Sequence, residues 1–239
     1  NAPSGIYRCS ATPYERACLL ASVFKREKIK GKILLIDPRD EPAVSAEGFL
    51  LAFDELYGDI IEYLPSTVIS KVDPEKSTIS TDFDEITFDD AAIYPSIRGS
   101  YLLEQLDLVD PKSQQMEAAI DPFTYNVLGD KHLYIAGDCR PMPFSKSGGT
   151  ARSEGMYIAE LIAARSLGKD IPWRSPHTIC YSMVSTDPNQ AVMVEGKYQF
   201  EKLTGQWAHF ENYAINERNE ILGNEAIDWA FEHFHDLFG

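Results

Sequence analysis

The sequence predicts an α/β fold, and three stretches carry that prediction. "KILLID", residues 32–37, is a short, apolar strand pattern directly after a helical one. Such strands belong to parallel sheets covered on both faces. "HLYIAGD", residues 132–138, repeats the pattern and runs through a Gly/Ser loop into a second long helical stretch. Beyond Gly168, "TICYSMVS" and "QAVMVEGKYQF" alternate as antiparallel strands do.

The elements follow in order. "NAPSGIYRCSATP", residues 1–13, reads as loop, broken by Pro3, Gly5 and Pro13. Pro13 suits a first helical turn, with Thr12 as N-cap and Glu15 near the positive helix end. That helix should run to about Lys28, burying Ala17, Leu20, Ala21 and Phe24, with Gly31 as its stop. Phe49, Leu50, Phe53 and Leu56 mark a second helix over 45–57. From 60 to 94, "IIEYL", "TVISKV", "STIST", "EITF" and "AAIYP" are short strand patterns, with hairpin turns at "VDPEKST" and "TDFDE". "SYLLEQLDL" reads as a short helix, 109–130 as turns, and 149–167 as a long helix. A loop-rich segment and a last helix over about 224–237 end the chain. Composition shifts near 97 and 168 divide it into residues 1–97, 98–168 and 169–239.

The chain has 239 residues, 44% of them hydrophobic, enough core for one large domain or two small ones. Asp and Glu number 37 against 22 Lys and Arg, a formal charge of −15. That balance disfavours nucleic acid and anionic membranes as partners. No apolar run approaches the ~20 residues of a membrane span. No signal-peptide pattern is present, although a mature exported protein would read the same way. The four cysteines are Cys9, Cys18, Cys139 and Cys180; there is no CxxC, and no structural zinc site is expected.

Gly137-Asp138 holds the most chemistry. In doubly wound sheets, ligands sit outside the carboxyl ends of strands. A carboxylate there can accept from sugar or ribityl hydroxyls. The helix start near Ser147 offers free N–H groups and a positive dipole end, and Gly148 and Gly149 permit close approach. The same pattern also fits an Asp that only caps a loop.

Four segments, in order, resemble the flavoprotein chain of flavocytochrome c sulfide dehydrogenase. They are "YRCSATPYERA" (residues 7–17), the "GD" with its "MPFSKSG" loop (137–148), "HTICYSMVS" (177–185) and "WAFEHFHDLFG" (229–239). The resemblance implies parts of two doubly wound, dinucleotide-binding-type domains and a small C-terminal β/α domain. Residues 1–97 would be a partial pseudo-NAD-binding domain, 98–168 the second half of an FAD-binding domain, and 169–239 the C-terminal domain.

It also implies FAD as cofactor, contacted by Gly137, Asp138, Lys146, Ser147, Gly148 and Trp229. A redox-active pair, Cys9 and Cys180, would lie beside the flavin and meet sulfide or a related small sulfur anion. A c-type cytochrome would take the electrons, in the periplasm. Glu15 matches a family glutamate near the disulfide, and equally suits a helix's first turn. Trp229 equally suits core packing. Cys18 reads as core and Cys139 as a loop filler. Asp37 stands where a dinucleotide fold holds a ribose, but the preceding turn lacks phosphate-cradling glycines, so NAD binding is not expected.

Two departures stand out. "CSAT" replaces the family's "CPPG", which leaves the backbone after Cys9 less rigid. No GxGxxG occurs in the chain. The chain is therefore expected to be part of a longer protein whose N-terminal half supplies the Gly-rich loop, and on its own to hold no stoichiometric FAD and to be inactive. The rival readings are a sulfide:quinone-type flavoenzyme and a non-catalytic, flavin-free interaction fragment.

Overall fold

The computed structural model describes residues 1–3 and 9–239, apart from the side chains of 209–212 and 237. The part of the expected N-terminal loop at 4–8 lies outside the described residues. Helix α1 (Thr12–Glu27) begins where Pro13 allows, with Ala11 rather than Thr12 at the N-cap. Tyr14, Ala17, Cys18 and Ala21 form its buried stripe. Leu20, expected inside, is 42% exposed, because the face packed on β1, β2 and α2 is centred on Cys18 rather than on Leu20. Lys28 adopts the left-handed conformation, and the Ile29 N–H closes on the Phe24 carbonyl at 2.9 Å. The helix thus stops before Gly31.

The apolar run forms β1 (Ile33–Ile36), which pairs in parallel with β2 (Ile61–Leu64) through helix α2 (Ala46–Tyr57). This is a β-α-β unit, the crossover that a parallel pair requires. Phe49, Ala52, Phe53 and Tyr57 turn inward; Leu50, expected with them, faces out. Strands β3 (Ile69–Asp73), β4 (Thr78–Thr81) and β5 (Glu85–Thr87) form an antiparallel meander turning at both expected hairpins. "AAIYP" is not a strand. Its Ala92 carbonyl and Tyr94 N–H bond instead to the Asn1 amino group and side chain, which leaves no ladder to join.

Helix α3 (Tyr101–Gln105) starts on Ser100, whose hydroxyl accepts from the Leu102 N–H. "HLYIA" was expected as a buried parallel strand and is not one. Tyr134 makes a single antiparallel bridge to Asn126. The neighbouring segments are broken by turns, so the apolar run finds no continuous partner. Helix α4 (Gly148–Ser166) follows a one-turn 3-10 helix at Gly137–Cys139.

Strands β6 (Thr178–Thr186), β7 (Asn189–Glu201) and β8 (Gln206–Asn219) form a sheet in that order. β8 lies where a loop-rich segment was expected. Its sequence hardly alternates, and it is a strand because β7 is beside it. Helix α5 (Glu220–Phe238) starts four residues earlier than expected, capped by Asn219. A Cβ on Gly223 would come within 2.4 Å of the Asn189 carbonyl oxygen, so this close approach requires glycine.

The fold is mixed α/β. The chain divides into two compact units: residues 1–96, 180–194 and 214–239, and residues 97–179 and 195–213. The first core is built on Tyr14, Phe49, Phe53 and Val192. The second is built on Tyr125, Phe144, Tyr157 and Leu161.

Candidate functional site

In the first unit, Cys9 precedes α1 and Cys180 lies in β6. Their sulfur atoms are 3.5 Å apart, across 171 residues of sequence. Both are half-buried free thiols. A disulfide is about 2.05 Å long, so closing it is a matter of about 1.5 Å. The hydrogen bond from Cys180 lowers the Cys9 thiol to about 6, helped by the Thr12 hydroxyl and by N–H groups at the start of α1. Cys180 is raised, first because its proton serves Cys9 and next by burial. The direction of both shifts favours Cys9 as the thiolate of the reduced pair.

Glu15 stands in the first turn of α1. Its Oε1 accepts from the Met183 N–H at 2.7 Å, so the carboxylate is pinned to the strand that carries Cys180. Burial raises this carboxyl to about 7; the Met183 bond works against the shift and Cys9 adds to it. Two groups that trade protons near neutrality, Cys9 and Glu15, thus sit together. Trp229 of α5 packs against Tyr181, the residue after Cys180, at 6.1 Å between ring centroids, and against His233 at 4.1 Å. Cys18 is fully buried and its thiol is pushed up by desolvation. Asp37, at the end of β1, accepts from Tyr14, Tyr63 and the Arg39 backbone and guanidinium. Its carboxylate is occupied within the fold.

In the second unit, Gly137 and Asp138 form the 3-10 turn packed on α4. Gly137 has φ +64 and its ideal Cβ would lie 3.3 Å from Ala151, so both backbone and space favour glycine. Ser147 caps α4, accepting from the Thr150 N–H. Gly148 is exposed, and a Cβ there would meet nothing within 4 Å. Close approach to this helix start is open. Lys146 turns the other way: it is buried, and its ammonium bonds to Glu117, to the Asp138 carbonyl at 2.9 Å and to the Arg140 carbonyl at 3.1 Å. Those three acceptors use its three protons. Cys139 accepts from the Ser100 N–H at 3.2 Å.

Sequence reasoning missed the network behind this turn. Arg140 is fully buried, bonds Glu154 at 2.6 Å, and donates to the carbonyls of Met142, Phe144 and Ser145. The second Glu154 oxygen accepts from the Gly137 N–H at 2.7 Å. The available signal was a Glu among the small residues of "GGTARSEG", four positions after Thr150. Among the described residues, no cluster of His, Cys, Asp and Glu could hold a metal ion, and no helix is long and apolar enough to cross a membrane.

Residues 1–95 match the model of the central region of the sulfide dehydrogenase (flavocytochrome c) flavoprotein chain. A curated relative, the NADH dehydrogenase-like protein YutJ of Bacillus subtilis (strain 168), is 28% identical over 108 residues, 45% of this chain. The match spans 29% of that relative's own length. Among solved structures, reduced CoADR-RHD of Bacillus anthracis overlays 84% of this chain and 42% of its own, with a TM-score of 0.46 and 12% identity. Over its first 95 residues the chain is similar to the central region of the flavoprotein chain of flavocytochrome c sulfide dehydrogenase.

Proposed function

We propose that this chain is part of a flavin-dependent oxidoreductase that oxidises sulfide, or a related small sulfur anion, through Cys9 and Cys180, and that a c-type cytochrome in the periplasm takes the electrons. The observation that carries the reading is the 3.5 Å approach of two sulfurs from segments 171 residues apart, each inside a motif that resembles the family's. The acceptor and the compartment rest on that similarity alone.

The chemistry of the pair is thiol–disulfide exchange. Hydrosulfide attacks Cys180 of the oxidised pair. The S–S bond breaks, a persulfide forms on Cys180, and Cys9 leaves as a thiolate. The low thiol pKa of Cys9 makes it the better leaving group. Glu15 takes the persulfide proton, since its carboxyl titrates close to neutrality. A bound flavin supplies a two-electron acceptor for the reduced sulfur. In the second unit, Gly137, Asp138, Ser147 and Gly148 suit a flavin contact, because the α4 start is open above Gly148. Lys146, engaged on Glu117, positions the Asp138 turn rather than touching a cofactor. The Gly-rich loop of an FAD site is not in this sequence and would come from the rest of a longer protein.

The test is Cys180→Ser in the full-length, flavin-loaded protein. Flavin bleaching by sulfide should lose most of its rate, since no disulfide remains to be attacked. Undiminished bleaching would overturn the relay.

A further inference from the structure

We propose that the Glu15 carboxylate selects the charge of the sulfur compound that reaches the Cys9–Cys180 pair, admitting hydrosulfide and small neutral or cationic thiols and turning away sulfur compounds that carry an additional negative group. The inference rests on the exchange reading above and names its substrate class.

Glu15 belongs to the element that follows Cys9 and is tied through the Met183 N–H to the strand of Cys180. A nucleophile approaching either sulfur therefore approaches this carboxylate. Among the described residues, no group of opposite charge is among those that act on it. The groups that act on its ionisation are the Met183 N–H and Cys9, and Glu15 in turn raises Cys18 and Cys180. Its neighbours on α1 look elsewhere: Tyr14 donates to Asp37, and the Arg16 guanidinium reaches Tyr94 at 3.5 Å. Among the described residues, no Lys, Arg or His is among the groups acting on Cys9, Glu15 or Cys180. Arg8, adjacent to Cys9 in sequence, lies outside the described residues.

In the oxidised pair neither sulfur is charged, which leaves Glu15 as the charge beside the pair among the described residues. A half-buried carboxylate is screened less than a surface one, so it discriminates over several ångströms. The reaction on which selection acts is balanced. An incoming thiolate forms one S–S bond, the Cys9–Cys180 bond breaks, and one cysteine leaves as a thiolate.

The test uses the 239-residue chain, oxidised to the Cys9–Cys180 disulfide with diamide. Three thiols of different charge are compared: cysteamine, 2-mercaptoethanol and 2-mercaptoethanesulfonate. Mixed-disulfide formation is followed by mass spectrometry, and each rate is normalised to the same thiol acting on a small model disulfide. At pH 8 the sulfonate should be slower than mercaptoethanol by roughly tenfold and cysteamine faster than either. Glu15→Gln should bring the sulfonate within about twofold of mercaptoethanol. In the unsubstituted chain the gap should narrow at pH 6, where Glu15 is protonated, and in high salt. A ratio unchanged by Glu15→Gln, or by pH in the unsubstituted chain, would overturn the selection and leave the exchange reading intact. A sulfonate as fast as mercaptoethanol would do the same. A disulfide that no thiol opens would overturn both.

Discussion

Arg140 and Glu154 in the second unit are wholly buried, and every polar atom they present there has a named partner. Glu15 in the first unit is half-buried and, among the described residues, accepts from one backbone N–H, beside a thiol that is itself inclined to ionise. The first arrangement holds charges in place; the second leaves them exchangeable near pH 7. Perturbed groups without compensating partners point to chemistry, whereas a closed ion-pair network points to architecture. The contrast separates two sets of residues that look alike in sequence, since each pairs a loop residue, Cys9 or Arg140, with a glutamate on the helix that follows, Glu15 of α1 or Glu154 of α4.

The largest effect should come from opening the closed network. Arg140→Met leaves Glu154 buried without its cation and three carbonyls without a donor. It should cost about 3–5 kcal/mol in urea unfolding. A cost near zero would mean that the network is not architectural and would erase the contrast.

The open site should behave in the opposite sense. Glu15 titrates near 7 when folded, above the ordinary carboxyl value, so between those pH values the folded state binds more protons than the unfolded one. Its contribution is intact at low pH and is lost as pH rises through 7. Glu15→Gln should therefore be more stable than the parent by about 1–2 kcal/mol at pH 8, after allowing for solvent screening, and indistinguishable from it at pH 4. A variant less stable than the parent at pH 8 would show the carboxylate to be well paired.

A smaller effect should sharpen the thiol assignment. In the reduced chain, iodoacetamide should label Cys9 with a midpoint near pH 6 and leave buried Cys18 untouched. Thr12→Val, which removes the hydroxyl hydrogen bond, should move that midpoint up. If the low-pH label maps to Cys180 instead, the leaving-group assignment reverses.

The smallest effect concerns the α4 start. Gly148→Ala places its methyl in open space and should stabilise the chain by about 0.5 kcal/mol through unfolded-state entropy. In a flavin-loaded full-length protein the same methyl should weaken flavin retention. Unchanged retention would place the cofactor elsewhere.

Much of this protein is local, and the sequence alone determines it. Pro13 starts α1, Ser100 and Ser147 cap their helices, and the apolar run of β1 makes a strand inside a β-α-β unit. Each depends on residues a few positions away. The resemblance in motifs also singled out Cys9, Cys180 and Glu15. What remained needed partners distant in sequence. β8 is a strand because β7 lies beside it, while "AAIYP" and "HLYIA", better strand patterns, lack a continuous neighbour. Lys146 and Glu117, 29 residues apart, neutralise each other inside the second unit. The 3.5 Å between two sulfurs and the single N–H that Met183 gives Glu15 are set by the docking of α1 on β6. Reactivity here was decided by tertiary structure, because a pKa is fixed by desolvation and by which partners reach the group, and neither is written in the residue's own neighbourhood.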